Sequence, residues 1–367
     1  MSLEKVRQQA QLSFCENGKN IEVGDLKGFP ITLAELKSTN SESHYVVETF
    51  DSGLTGVVYH LQFADRHWTL KLKRSASLVN NVDGQTSFLN EVQRRHDFSV
   101  LKQTKAADFN HIIETKFASY TEGIILSPWI VGAPPQRFNK KIFEQIFTCI
   151  CNLELNGFFE WDLSPGNILL DNNNRIKLFD FGYMYQFNPL KHFNSNGQDT
   201  PLFHGIERFE TRFFFDYLLK NPLQLSKEEL FGLYRLEKQC ALQAYLHKLQ
   251  NLKNAAADTS VISHQNNINL KWEKALSNEE ALRELYLVEN YRSNVLDLLD
   301  DLHGQSCNIY TLKKADLILS FIHDYFIQLL NNNAFFFGDE KLNQEQLIVK
   351  YTELRNQAIS FQLGSEK

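Results

Sequence analysis

Apolar positions along the chain change their period partway through. In the first part they come in short runs. Trp68-Thr69-Leu70-Lys71-Leu72-Lys73 alternates strictly, which puts Trp68, Leu70 and Leu72 on one face of a strand and Thr69, Lys71 and Lys73 on the other. Ile168-Leu169-Leu170 and Arg175-Ile-Lys-Leu-Phe179 are short apolar runs joined by Asp171-Asn-Asn-Asn174, a two-stranded hairpin with a polar turn. Between these strands, Phe88, Glu91, Val92 and Arg95 recur at helical spacing, and Phe143 to Asn156 reads as a long helix ended by Gly157. The later part is helical throughout, with candidates at Leu225 to Leu252, Ser277 to Leu302, Thr311 to Leu330 and Asn343 to Phe361. Ser226 with Glu229 and Ser277 with Glu280 are capping-box pairs, and Gly304 is placed to stop the second of these helices. Residues 15 to 45 read as an irregular lead-in with at most one strand.

The hairpin has a chemical consequence, because it brings the loop before it beside the loop after it. The first loop is Asp162-Leu-Ser-Pro-Gly-Asn167 and the second is Asp180-Phe181-Gly182, so two carboxylates and an amide can converge on one point. Oxygen ligands suit a hard ion such as magnesium, which takes one or two carboxylates and keeps water and phosphate oxygens for the rest. In that arrangement Asn167 and Asp180 hold the metal, and Asp162 is left to accept a proton from an incoming hydroxyl.

Further parts of such a site occur upstream in order. Phe50-Asp51-Ser-Gly53-Leu-Thr-Gly56-Val-Val58 sets two glycines three apart between strand-like residues, where backbone N–H groups can approach phosphates closely. Lys71 is the phosphate-contacting candidate, with Lys73 its competitor on the same strand face, and Thr69 is small enough to leave room for a base. Glu91, turned inward from its helix, can pair with Lys71.

Taken together, Gly53, Gly56, Lys71, Glu91, Asp162, Asn167 and Asp180 resemble the protein-kinase-like superfamily over roughly residues 45 to 185. The resemblance implies an α+β, bilobal protein-kinase-like fold, with a small antiparallel-sheet N-lobe and a large helical C-lobe carrying a C-terminal helical extension. It divides the chain into a lead-in (1–44), an N-lobe (45–130), a catalytic C-lobe core (131–220) and a helical part or cap (221–367). ATP would lie against Gly53, Gly56, Val58, Thr69 and Lys71. Leu126-Ser-Pro128-Trp-Ile130 falls where that superfamily has its hinge, so the backbone at Pro128 and Ile130 would meet the adenine. Mg2+ or Mn2+ would sit on Asn167 and Asp180.

Departures from the pattern bear on the acceptor. Asp51 stands where the first loop glycine is usual, and Glu160-Trp161 stands where His-Arg usually precedes the catalytic Asp. Without that arginine, docking of a phosphorylated activation loop is not expected. Ser164 replaces the lysine of ordinary protein Ser/Thr kinases, as in RIO-type kinases, whereas aminoglycoside and choline kinase-type relatives generally have His. The resemblance therefore implies a hydroxyl-bearing acceptor, either a protein or a small molecule, with an atypical protein Ser/Thr kinase as the first reading. A non-catalytic nucleotide-binding scaffold or an AMP transferase is the alternative of a different class. His204-Gly-Ile-Glu207 resembles a degenerate Ala-Pro-Glu anchor, and Arg208 and Arg212 are open to substrate anions, to the segment itself or to solvent. The C-terminal helices are either core or a lid.

Composition adds limits. With 367 residues, 43% hydrophobic residues and 29 phenylalanines, the chain can build more than one core. A net charge of −6 and a pI near 6.0 argue against nucleic-acid binding, which needs clustered Lys and Arg. Five cysteines without a C-x-x-C pair point to a reducing, cytoplasmic setting, and no apolar run approaches the roughly 20 residues of a membrane span.

Overall fold

A computed structural model describes residues 2–51, 53, 55–79 and 81–362. The chain forms two compact units, Met1–Pro135 with Thr148–Thr200 and Gln136–Phe147 with Pro201–Lys367.

The first unit opens with α1 (Leu3–Glu16), β1 (Glu22–Gly24), α2 (Leu33–Lys37) and β2 (Val46–Phe50). It continues with β3 (Gly56–Phe63), β4 (Arg66–Lys73), α3 (Val82–Lys105), β5 (Phe117–Ser119), β6 (Ile124–Pro128) and β7 (Gly132–Ala133). After α4 (Lys140–Leu155) come β8 (Phe158–Glu160), β9 (Ile168–Asp171), β10 (Ile176–Leu178) and β11 (Met184–Gln186).

Six strands pair antiparallel in the order β1-β5-β6-β4-β3-β2. The alternation read in β4 decides what each face does. Leu70, with Leu61 and Leu126, packs on Leu36 of α2, so the lead-in is the apolar cover of one sheet face. On the other face, Phe88 and Val92 of α3 pack against Ala118 and Ile125. The expected α+β organisation, an antiparallel sheet followed by a larger set of helices, is thus present.

The β9–β10 hairpin forms with Ile168 opposite Leu178. Asp171 accepts the backbone N–H groups of Asn173 and Arg175, and Asn174 takes the left-handed conformation that this turn needs. Gly157, at φ +83°, ends α4, where a Cβ would run into the carbonyl oxygen of Phe187.

The second unit contains α5 (Gly205–Phe209), a π-helical turn (Glu210–Phe214), α6 (Phe215–Lys220), α7 (Lys227–Asn254), α8 (Thr259–Leu276), α9 (Glu279–Gly304), α10 (Ile309–Asn331) and α11 (Gln344–Ser360). Ser226 and Glu229 form their capping box at the head of α7. The cap of α9 is Asn278 rather than Ser277, and Gln305, with φ +51°, closes the helix one residue after Gly304. Tyr291, Ile318 and Tyr351 centre the core made by α9, α10 and α11. Arg208 lies 5.6 Å from the centre of the Phe203 ring of its own segment, and both arginines are paired rather than left to solvent. Arg208 pairs with Asp300 at 2.7 Å, and Arg212 pairs with Asp297, so both are taken up by carboxylates of α9. Among the described residues no helix is long and apolar enough to cross a membrane.

Candidate functional site

Lys71 is carried on β4, whose alternation sends it to the same face as Thr69. Its ladder partner is Val58, and Thr69 faces His60 and Ser127, which places Val58, Thr69 and Lys71 side by side. The Lys71 ammonium donates to Glu91 Oε2 at 2.7 Å and to Asp180 Oδ2 at 2.9 Å. Lys73 instead lies over the Tyr120 ring. Burial alone would lower the Lys71 pKa, but the charges of Asp180 and Glu91 outweigh it and hold the pKa above the ordinary lysine value. Burial would likewise raise Asp180, yet the Lys71 charge keeps it below the ordinary carboxylate value.

Glu91 is almost fully buried, an expensive position for a carboxylate. Arg95, one helical turn on, meets its other oxygen at 2.9 Å and is itself held by Ser127 at 2.8 Å. Glu91 therefore sits between two cations, one on its own helix and one on the sheet.

The two loops flanking the hairpin converge as the spacing requires. Pro165–Asn167 forms a single 3-10 turn after Ser164, and the Asn167 amide nitrogen donates to the Asp162 carbonyl at 2.8 Å and to Asp162 Oδ2 at 3.0 Å. The backbone N–H of Phe179 donates to the Asn167 carbonyl at 3.2 Å, tying the first loop to the approach of the second. Asp180 adopts φ +60°, a left-handed conformation that costs energy outside glycine and persists only where the surroundings impose it. Those surroundings include Phe181, which is fully buried against Phe98 of α3 with ring centroids 5.1 Å apart.

In the glycine loop, Ser52 and Leu54 lie outside the described residues. A Cβ at Gly56 would meet the Leu72 carbonyl oxygen at 2.9 Å and Lys71 Cγ at 3.1 Å, so the lysine side chain runs where only glycine leaves room. At Gly53 a Cβ would strike the Gly56 carbonyl oxygen at 2.5 Å. Asp51, the departure from the usual glycine, pairs with Arg74 at 2.5 Å, and Arg74 also donates to the Gly53 carbonyl at 2.9 Å. This clip pins the base of the loop, and the sequence pattern did not signal it. Pro128 pairs with Trp68 as the last rung of the β4–β6 ladder, in which Lys71 faces Ile125, and Ile130 follows two residues beyond it.

Glu160 is the second residue that sequence reasoning missed. It is buried, its Oε1 accepts the Asp162 backbone N–H at 2.8 Å, and its Oε2 has no hydrogen-bond partner. Burial, reinforced by the charges of Asp162 and Asp180, pushes its pKa well above the ordinary glutamate value. Glu160 thus positions the Asp162 backbone. Trp161 is fixed by donating its indole N–H to Ser195 Oγ at 2.8 Å.

The donor set can be tested against a metal. Among the described residues no group of three or more His, Cys, Asp or Glu could hold an ion by itself. Asp180 supplies one carboxylate, and Asn167, whose amide nitrogen is engaged by Asp162, has its amide oxygen left for a cation. One carboxylate and one amide oxygen fit a hard divalent ion that completes its shell with water and phosphate, and do not fit zinc.

Comparison with known proteins gives three matches. The sequence model of the ABC1 atypical kinase-like domain matches residues 120–194, a stretch that contains Asp162, Asn167 and Asp180. Over 48 residues, 13% of this chain, it is 46% identical to a probable serine/threonine-protein kinase of Dictyostelium discoideum. Over 92 residues, 24% of this chain, it is 37% identical to the eIF-2-alpha kinase GCN2 of Schizosaccharomyces pombe. The matched segments span 10% and 6% of those two relatives, respectively.

Proposed function

We propose, from the premise that the chain belongs to the protein-kinase-like superfamily, that it is an ATP- and magnesium-dependent phosphotransferase whose acceptor is a hydroxyl group, first of all a protein serine or threonine. The observation that carries this reading is the position of the Lys71 ammonium, bonded at once to Glu91 and Asp180. Three segments far apart in sequence meet there at charged atoms, and packing alone would not require those residue types.

In this reading Lys71 binds the nucleotide phosphates, and Glu91 keeps it aimed. Gly53 and Gly56 let the loop backbone close on the phosphates, with Val58 and Thr69 beside the base and the backbone at Pro128 and Ile130 at its edge. Asn167 and Asp180 would hold magnesium, which when bound neutralises phosphate charge. Asp162, aligned by Asn167 and by the Glu160 contact to its backbone, accepts the proton of the acceptor hydroxyl. The acceptor oxygen forms its bond to the γ-phosphorus as the bond from that phosphorus to the ADP oxygen breaks.

A small-molecule acceptor is the second reading. It is favoured by Trp161, locked onto Ser195 where a loop-docking arginine would be needed, and by Ser164 in place of a lysine. The test is transfer of label from γ-labelled ATP, first to the protein itself and generic protein acceptors, then to sugars and aminoalcohols. Asp162→Ala is expected to retain nucleotide binding and lose turnover by about a hundred- to ten-thousandfold. Wild-type turnover in that variant would end the assignment, and retention of α-label but not γ-label would indicate AMP transfer instead.

A further inference from the structure

Asn90 lies immediately before Glu91 on α3 and is almost fully buried. Its amide nitrogen faces three backbone carbonyls of the second loop, those of Phe181 at 3.0 Å, Gly182 at 3.0 Å and Met184 at 2.7 Å. Its amide oxygen faces two donors, Gln11 Nε2 at 3.3 Å and Arg94 Nη1 at 3.3 Å. Turned the other way, the amide would set its oxygen against three oxygens, so the surroundings admit one orientation. Gln11 is also buried, and it is the residue that α1 contributes. Its own amide oxygen accepts from Arg7 at 3.1 Å and from Thr86 at 3.4 Å.

A second anchor joins the same elements. Arg7, one turn before Gln11 on the same face of α1, pairs with Asp83 of α3 at 2.8 Å and stacks its guanidinium 3.5 Å from the centroid of the Tyr185 ring. Gly182 lies so close to α3 that an added Cβ would come within 3.2 Å of Ser87 Cβ. Helix α1 also sets Phe14 edge-on to Tyr120 at 5.9 Å, but the side chain it buries among the described residues is the polar Gln11.

We propose that α1 is a built-in positioning element for the site: Gln11 fixes the Asn90 amide, and Asn90 holds the Asp180 loop to the helix that carries Glu91. Asp180 and Glu91 then move as one body, and Lys71 meets both or neither. Asn90 and Gln11 are positioning residues, since neither touches Lys71 or Asp162. The functional part of this inference rests on the reading of Asp180 and Glu91 given above; the structural part does not.

The experiment is amide hydrogen exchange of residues 181–185 in the full chain, run beside steady-state kinetics. Gln11→Ala is expected to speed exchange in that segment roughly five- to tenfold, the loss of about one hydrogen bond. It should lower kcat by up to about a hundredfold while changing KM for ATP far less. Gln11→Glu, which keeps size and the acceptor toward Arg7 but cannot donate to Asn90, should behave like Gln11→Ala, whereas a pure packing role would leave it like wild type. Asn90→Ala should exceed both; if it does not fold, the Gln11 pair still decides. Unchanged exchange at residues 181–185 in both Gln11 variants overturns the proposal. A wild-type chain that transfers no phosphate would refute the kinase reading while leaving the exchange result to stand or fall alone.

Discussion

Lys71 and Lys238 are each flanked by carboxylates, and they differ in what can reach them. In the second unit Lys238 is fully buried and contacts Glu210, Glu289 at 2.7 Å and Glu237 at 3.7 Å, with the Trp272 ring 4.4 Å from its ammonium. In the first unit Lys71 contacts Glu91 and Asp180, and the Asp180 side chain is 40% exposed. A sealed cluster has no place for a ligand and serves to hold α7, α9 and the π turn together. An open one offers charges that a phosphate or a divalent ion can take over. A carboxylate-flanked lysine is therefore not a functional signal by itself, and accessibility of one partner separates the two cases.

That contrast can be broken at either end. Lys238→Met should be the larger effect on stability, about 3–5 kcal/mol, because it leaves buried carboxylates without a cation. Burial pushes Glu237 up to about 7 and raises Glu210 as well, so these groups can neutralise by taking up protons. The loss measured by urea denaturation should accordingly ease as pH falls. Lys71→Met should instead cost about a hundred- to a thousandfold in turnover, as for removal of one charge-stabilising donor, with a smaller change in the urea midpoint.

The smallest effect sharpens the comparison from within the site. Glu160 is a carboxyl whose folded pKa is raised, so the folded state holds a proton that the unfolded state releases above about 4.5. Its contribution is complete below that value and is lost as pH rises toward the raised one. Glu160→Gln, which mimics the neutral acid, should match wild type in stability near pH 4 and become progressively more stable than wild type as pH rises. An unchanging gap across that range would show that Glu160 is ionised in the fold.

What the sequence made legible follows from how local each cause is. The hairpin rests on an Asx turn within four residues, the strand of Lys71 on strict alternation, and α7 on a capping box. Lys71, Glu91, Asp162, Asn167 and Asp180 could be named because each sits at a fixed spacing within its own element. Helix α1 could not be seen, since its polar segment is held by Arg7 and Gln11 through partners more than seventy residues away. The same reason hides the partners of Arg208 and Arg212, which lie on α9 more than eighty residues on. The buried face of helix α8 is interrupted by the polar Gln265 and Asn269, and the Asp51–Arg74 clip pairs two residues that pattern alone treats as a loop acid and a strand-end base.

Titration of the purified chain with ATP, with and without magnesium, is the most direct test of the account. Wild type should bind in a saturable, magnesium-dependent manner, and Asp180→Asn should lose the magnesium dependence while retaining its fold. Wild-type binding that ignores magnesium, or no binding at all by a folded wild-type chain, would contradict the claim that the open charge cluster around Lys71 is a nucleotide and metal site.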